Sequence, residues 1–283
     1  MKLLTAAAPL VLTTLTVFPQ DNAQKIYDTE RAFERTVAEK GINAGFIEFM
    51  APLGVIFTPR PENAREVWTK RDPSPAALTW NPIKIEVSSN GALAYSIGNS
   101  IYRPKGASDA TIYYGHYLSV WGRQGNGEYR ALLDTGIDHP TPAANEPAWT
   151  TTPQSPVEAN PKNKFAGDSS ISFYQMAEER GFGKAYKAYG AEDMYLMRDG
   201  VLPVIGNDAA AKFIEGRKLA VRFTKRKSFV EAGDLAYVYS GYVLLNKDSV
   251  EQERGSFVQV WKLHRGRWVI AADVFIPIPP EKS

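Results

Sequence analysis

Residues 33–57 of this chain can be laid on residues 173–197 without a gap, so one structural unit is written twice in a single polypeptide. Glu39-Lys40-Gly41 falls on Glu179-Arg180-Gly181, and Phe46 falls on Tyr186. Further along, Leu93-Ala94-Tyr95 returns as Leu235-Ala236-Tyr237. Gly115-His116-Tyr117-Leu118-Ser119-Val120-Trp121 returns as Gly255-Ser256-Phe257-Val258-Gln259-Val260-Trp261, and Asp134 as Asp273. The offset drifts by a few residues, as small loop insertions produce. Two copies spread over 283 residues read as two domains of one fold rather than as a solenoid.

The N-terminus stands apart. Lys2 precedes an apolar stretch from Leu3 to Phe18, which is shorter than the ~20 residues a membrane-spanning helix needs. A polar exit follows at Pro19–Gln24, the pattern of a secretory signal with a cut after Ala23. The expected location is therefore periplasmic or secreted, with membrane contact only through the signal segment. The alternative is an uncleaved anchor. With no cysteine, stability cannot come from disulfides. A hydrophobic content of 44% is enough for two cores instead. Net charge is only +2 and no basic stripe runs along the chain, which argues against a nucleic-acid partner. Six prolines between Pro140 and Lys164 mark a semi-rigid linker. A lone Trp149 inside it is expected to dock on a neighbour. The expected division is signal 1–23, first copy 24–139, linker 140–164 and second copy 165–283.

Each copy starts with helical periodicity and ends with period two. Gly41 and Gly181 close first helices, with Asp168 or Ser169 as a cap of the second copy's. Short second helices are expected near 44–50 and 184–189, and third helices after the N-caps Asn63 and Asn207. Strands come next at 78–87, 93–102, 111–123 and 129–137, with counterparts around 235–244, 256–263 and 268–275 joined by turn-like Gly segments. Helices first and hairpin-linked strands after is the α+β pattern. The expected architecture is two cone-shaped α+β barrels, each with N-terminal helices packed on a curved antiparallel sheet. The mouth of such a cone is a natural ligand cavity.

The closing hairpins, Gly115–Trp121 with Tyr129–Gly136 and Gly255–Trp261 with Trp268–Asp273, resemble those of the nuclear transport factor 2-like superfamily. Within it they are most similar to the SnoaL-like and ketosteroid-isomerase-like group. Ala191–Leu196 resembles that group's exit from the second helix. The resemblance implies a cone-shaped α+β barrel, often dimeric through its sheet, among isomerases, cyclases, dehydratases, transport factors and non-catalytic binders.

Asp134 and Asp273 stand at matched strand positions. Each reads as a cavity carboxylate able to act as a general base after desolvation, or as a strand-end acid that caps a turn or pairs with an Arg. Asp193 belongs to the second copy alone, its counterpart being Leu53, and the resemblance makes it a candidate base. His116 would suit proton shuttling or simply bond within the sheet. Three scattered histidines without cysteine make no metal pattern, and no cofactor motif is present. Aromatic residues with a polar handle, Tyr189, Tyr237, Tyr239 and Trp261, join Phe46, Tyr95, His116, Trp121 and Asp134 as candidate ligand contacts.

The leading functional expectation is an exported tandem protein that binds a small apolar or aromatic molecule in a cone, without assured catalysis. The first alternative is an isomerase, cyclase or dehydratase with Asp193 or Asp273 as base and Tyr189 or Tyr239 as donor to the oxyanion. A surface-facing Asp193 and a salt-bridged Asp273 would remove those residues from it. The second alternative is a sheet-mediated interaction module. Pairing through the sheets, within the chain as a pseudo-dimer or between chains as a homodimer, is the partner expectation beside the small ligand.

Overall fold

The computed structural model describes residues 19–143, 149–151, 165–224 and 228–280. The apolar leader, most of the linker and the basic cluster at 225–227 lie outside the described residues.

Helix α1 (Pro19–Lys40) turns Ala23, Ile26, Phe33 and Val37 inward, a helical stripe that fixes its buried face. Ala23, the expected cut site, is fully buried in its first turns. Gly41 then takes φ 89°, a left-handed value costly for other residues, and α2 (Ile42–Phe49) starts directly after it. Gly181 does the same at φ 114° between α4 (Ala166–Glu179) and α5 (Phe182–Tyr189). Both glycines therefore serve as hinges into a second helix. The cap of α4 is Phe165, with no side-chain bond from Asp168 or Ser169.

Strand β1 (Met50–Phe57) follows α2, and β7 (Gly190–Met197) follows α5. Short strands β2 (Pro61–Asn63) and β8 (Val204–Ile205) lead to α3 (Ala64–Lys70) and α6 (Asn207–Arg217). Asn63 caps α3 through the Glu66 N–H, as its residue type foretells. Asn207 instead is the first residue of α6, and Gly206 at φ 89° occupies the cap position.

Four long strands complete the first half: β3 (Ala77–Val87), β4 (Leu93–Arg103), β5 (Tyr113–Arg123) and β6 (Tyr129–His139). They form a six-stranded sheet in the order β2-β1-β6-β5-β4-β3, with β1 parallel to β6 and every other pair antiparallel. In the second half, β9 (Ala220–Phe223) and β10 (Ser228–Ala232) share the place of β3 beside β11 (Leu235–Leu245). Strands β12 (Glu251–His264) and β13 (Arg267–Pro277) complete it, and β13 runs parallel to β7. Each half is thus a helix layer on the concave face of a curved sheet, a mixed α+β architecture present twice.

The other faces of the two sheets meet. Ile97, Leu118, Val120 and Leu133 share one buried apolar cluster with Val258, Val260, Ala272 and Val274. Period two makes this double use possible, since alternate residues of β5 serve the helix side and the inter-sheet side. Phe57 packs edge-on to Tyr239 across the junction, and the Ser89 N–H donates to Asp234 at 2.7 Å. At one side, Lys84 and Glu86 from β3 meet Asp193 from β7 and Lys262 from β12 in a four-membered ionic ring. The described linker residues lie against the first half. Trp149 stacks on Tyr27 at 5.6 Å, and Thr150 exchanges backbone bonds with Ile83 and Ile85.

Candidate functional site

Strand register gives the correspondence between halves residue by residue. Ile56 faces Asp134 as Leu196 faces Asp273. Tyr117 faces Gly136 as Phe257 faces Phe275, and Ser100 faces Gly115 as Tyr242 faces Gly255. Ser119 therefore stands where the second half has Gln259, Ser100 where it has Tyr242, and Gly136 where it has Phe275. Thr58, just past β1, stands where it has Arg198, just past β7.

Those four differences decide which cone is hollow. In the second half, Phe275 stacks on Tyr242 at 3.9 Å and receives the Arg198 guanidinium at 3.8 Å from its ring. Arg198 reaches Asp273 at 2.7 Å and donates to the Tyr186 hydroxyl at 2.7 Å. Gln259 fills the remaining gap, donating to Asp273 at 2.6 Å and accepting from Tyr174 at 3.1 Å. A space of about 10 Å³, no more than one water needs, lies beside Phe182, Arg198 and Phe275. In the first half the smaller residues leave about 280 Å³ between α1, α2 and the sheet.

Aromatic and apolar residues wall that cavity: Phe33 from α1, Phe46 from α2, Leu78 and Trp80 from β3, and Trp121 from β5. Phe33 meets both Phe46 and Trp80 nearly at right angles, at 5.0 and 4.9 Å. Its polar groups are Ser100, Tyr117, Ser119, Asp134 and, at the exposed rim, Asp138. Ser119 donates to Asp134 at 2.6 Å. Tyr117 donates at 2.5 Å to Glu30, a carboxyl group on the inner stripe of α1 with no exposed surface. The Trp121 indole N–H is used on Ser96 at 2.9 Å.

The electrostatics of the chamber stem from burial. Desolvation pushes Asp134 up to about 7 against the pull of Ser119. Desolvation also raises Glu30 to about 7, opposed by the hydroxyls of Ser96 and Tyr117 and by Arg31. Tyr117 is held well above its ordinary value by burial and by Glu30. Arg31 is occupied by Glu34 and by the Trp80 carbonyl, both at 2.7 Å. Two acids that change charge near neutrality thus sit beside one aromatic chamber, a condition under which a carboxyl group can give or take a proton.

The residues expected from sequence separate into three groups. Phe46, Trp121 and Asp134 come together in the first cavity. His116 borders it, but alternation along β5 turns its ring away with Leu118 and Val120, where it bonds His139 at 2.8 Å. Burial and then His139 lower His116 to about 4. Tyr95, Tyr237 and Tyr239 lie on the inter-sheet side, because odd-numbered residues of β4 and β11 face the partner sheet rather than the helices. Tyr189 and Trp261 pack in the filled second core.

Both candidate bases of the second half require correction. Asp193 belongs to the inter-sheet ionic ring, with its side chain 47% exposed and bonded to Lys84 at 2.5 Å and Lys262 at 3.1 Å. Burial raises it, but the two lysines prevail and hold it at about 2, too acidic for a base near neutrality. Asp273 has no exposed surface and is locked by Arg198 and Gln259. Sequence reasoning misses Glu30 although its signal is present: an acid at the i+4 position from Ile26, within the apolar stripe of α1. It also misses Ser119 and Ser100, and it sees Trp80 and Tyr117 only as aromatics.

No family model and no curated protein sequence matches the chain. Solved structures do. A ketosteroid isomerase-like protein from Erwinia carotovora atroseptica is similar at 21% identity, over 43% of this chain and 99% of its own, with a TM-score of 0.34. A nuclear transport factor 2-like protein of unknown function from Shewanella oneidensis is similar at 20%, over 39% of this chain and 98% of its own, with a TM-score of 0.33. A protein of unknown function with a cystatin-like fold from Nostoc punctiforme is similar at 14%, over 44% and 96%, with a TM-score of 0.35. Each is about as long as one of the two halves.

Proposed function

We propose that the first half is the functional one, a receptor for a small, largely apolar or aromatic molecule with a polar end, and that the second half serves as its structural partner. The observation that carries this reading is that the first half opens a chamber of about 280 Å³ in front of Asp134, where the second half packs Tyr242, Phe275, Arg198 and Gln259 against one another around Asp273. A chamber with aromatic walls and a few convergent polar groups is the usual form of a small-molecule site, though this one lies at the small end of a range of roughly 300–1,000 Å³. Mass spectrometry of small molecules released from the purified full chain tests it. A bound compound should be recovered from the native protein and lost from Ser100→Tyr, which installs the residue of the filled half. Equal recovery from both proteins refutes the assignment.

A second reading is favoured by the raised acids. With Asp134 and Glu30 near neutrality, the same chamber can move a proton at a carbon beside a carbonyl group, Asp134 acting as base. Exchange of solvent deuterium into a bound ketone, absent in Asp134→Asn, is its test. Export through the apolar leader is proposed alongside. N-terminal sequencing of protein recovered outside the cytoplasm tests it, with a start at Gln24 as the expected result.

A further inference from the structure

We infer that the ligand of the first cone is a small amine on an apolar body, its ammonium group held at Asp134 and its body boxed by Phe33, Phe46 and Trp80. This rests on the proposal that the first cavity binds a small molecule, and it names the chemical class.

Hydrogen-bond bookkeeping carries the inference. Tyr117 spends its proton on Glu30, Ser119 on Asp134, and the Trp121 indole on Ser96. The Ser100 hydroxyl can donate or accept, but around an ionised Asp134 the groups left are the lone pairs of Tyr117 and Ser119 and the carboxylate itself, so this end of the chamber accepts and does not donate. A ligand that mates with the Asp134 end must bring N–H or O–H groups of its own. An ammonium brings three donors and no acceptor.

Charge points the same way. Neither Lys nor Arg is among the residues lining the cavity, whereas Asp134 and the rim acid Asp138 are. From α1, Glu30 stands behind Tyr117, and the neighbouring Arg31 is already engaged by Glu34 and the Trp80 carbonyl. His116 and His139 sit across β5 and β6 on the opposite face. In the second half the matched carboxylate is neutralised by Arg198, whose place in the first half is taken by Thr58, itself bonded to Glu62. An incoming ammonium would supply the cation that the chain gives to Asp273 and withholds from Asp134. The perpendicular rings of Phe33, Phe46 and Trp80 add faces and edges suited to a cation and its hydrocarbon body. The raised proton affinity of Asp134 is what an acid lacking its counter-charge shows, and an ammonium would reverse it.

Calorimetric titration of the full chain with 2-phenylethylamine and with its neutral near-isostere 2-phenylethanol tests the assignment. The amine should bind at least about tenfold more tightly at about pH 8, and its advantage should shrink as Asp134 and Glu30 take up protons below about pH 6. Asp134→Asn should erase the preference, the amine losing at least about tenfold more affinity than the alcohol, with an unchanged circular dichroism spectrum reporting that the variant is folded. If the alcohol binds as well as the amine, the amine assignment falls and the binding site stands. If neither binds, and Ser100→Tyr titrates like the native protein, both fall.

Discussion

The two halves of this protein share helices, strand order and register, yet one holds a chamber where, at the matched positions, the other packs its side chains against one another. The difference is confined to a few side chains on the concave face. Where the second half places Arg198, Tyr242, Gln259 and Phe275, the first has Thr58, Ser100, Ser119 and Gly136. The matched acids register the change. Asp273 is a closed ion pair that organises a packed core, while Asp134 has one hydroxyl donor and an open chamber. One scaffold thus supports two outcomes, and burial is what both acids share. The partner supplied to each carboxylate separates a paired anion from one of raised proton affinity.

The sharpest way to break the comparison is to remove the solid half's cation. Arg198→Ala strands Asp273 in a dry core and should cost about 3–5 kcal/mol in chemical denaturation. Phe275→Ala should cost a similar ~3–5 kcal/mol through the cavity it leaves, and would make the second cone resemble the first. Indifference to both changes would mean that the filled core is not what stabilises this half.

The hollow half should respond in the opposite sense. Asp134 and Glu30 bind their protons more tightly when folded, at about 7 against ordinary values of 3.8 and 4.5. Between those values the native state holds more protons than the unfolded chain. Stability is therefore full below about pH 4 and falls as pH rises through about 7. Asp134→Asn should flatten this slope and gain roughly 1–3 kcal/mol at about pH 8, read from denaturant midpoints at several pH values. A slope unchanged in both Asp134→Asn and Glu30→Gln would contradict the raised affinities.

The smallest effect belongs to the junction between the halves. Asp193→Asn removes one acid from the ring with Lys84, Glu86 and Lys262. Because Asp193 is half exposed, the loss should be about 1 kcal/mol or less and should fade with added salt. A salt-independent loss would show that packing, rather than charge, is what the residue contributes.

Much of the architecture is legible in the sequence because it rests on local periodicity. The alternation of residues 93–102 and 235–244 announces long strands, and Gly41 and Gly181 announce the breaks between helices. Strands β1 and β7 are harder to see. Pro52 and Gly54 interrupt the first, and each pairs in parallel with a strand about seventy to eighty residues later in the chain, a partnership that leaves no local signature. The site is half legible. Asp134, Phe46 and Trp121 can be singled out by type and repetition. That the acids of raised proton affinity belong to the first half depends on what stands opposite each of them. Gly136 against Tyr117 and Phe275 against Phe257 is a cross-strand relation, and only the assembled sheet displays it. Glu30 is in plain view as a charge on an apolar stripe, but its meaning requires Tyr117 from a strand 87 residues away.

The apolar face shared by the two sheets has a consequence for how this molecule can change over generations. When two identical subunits meet through such a face, every substitution appears in both, and a bulky residue that plugs one chamber plugs its twin. Here the meeting is intramolecular, with Trp149 and Thr150 laid along the first half and the ionic ring clasping one edge. Association is insensitive to dilution, and mutations can be inherited one side at a time. One side can thereby fill with side chains while the other stays open.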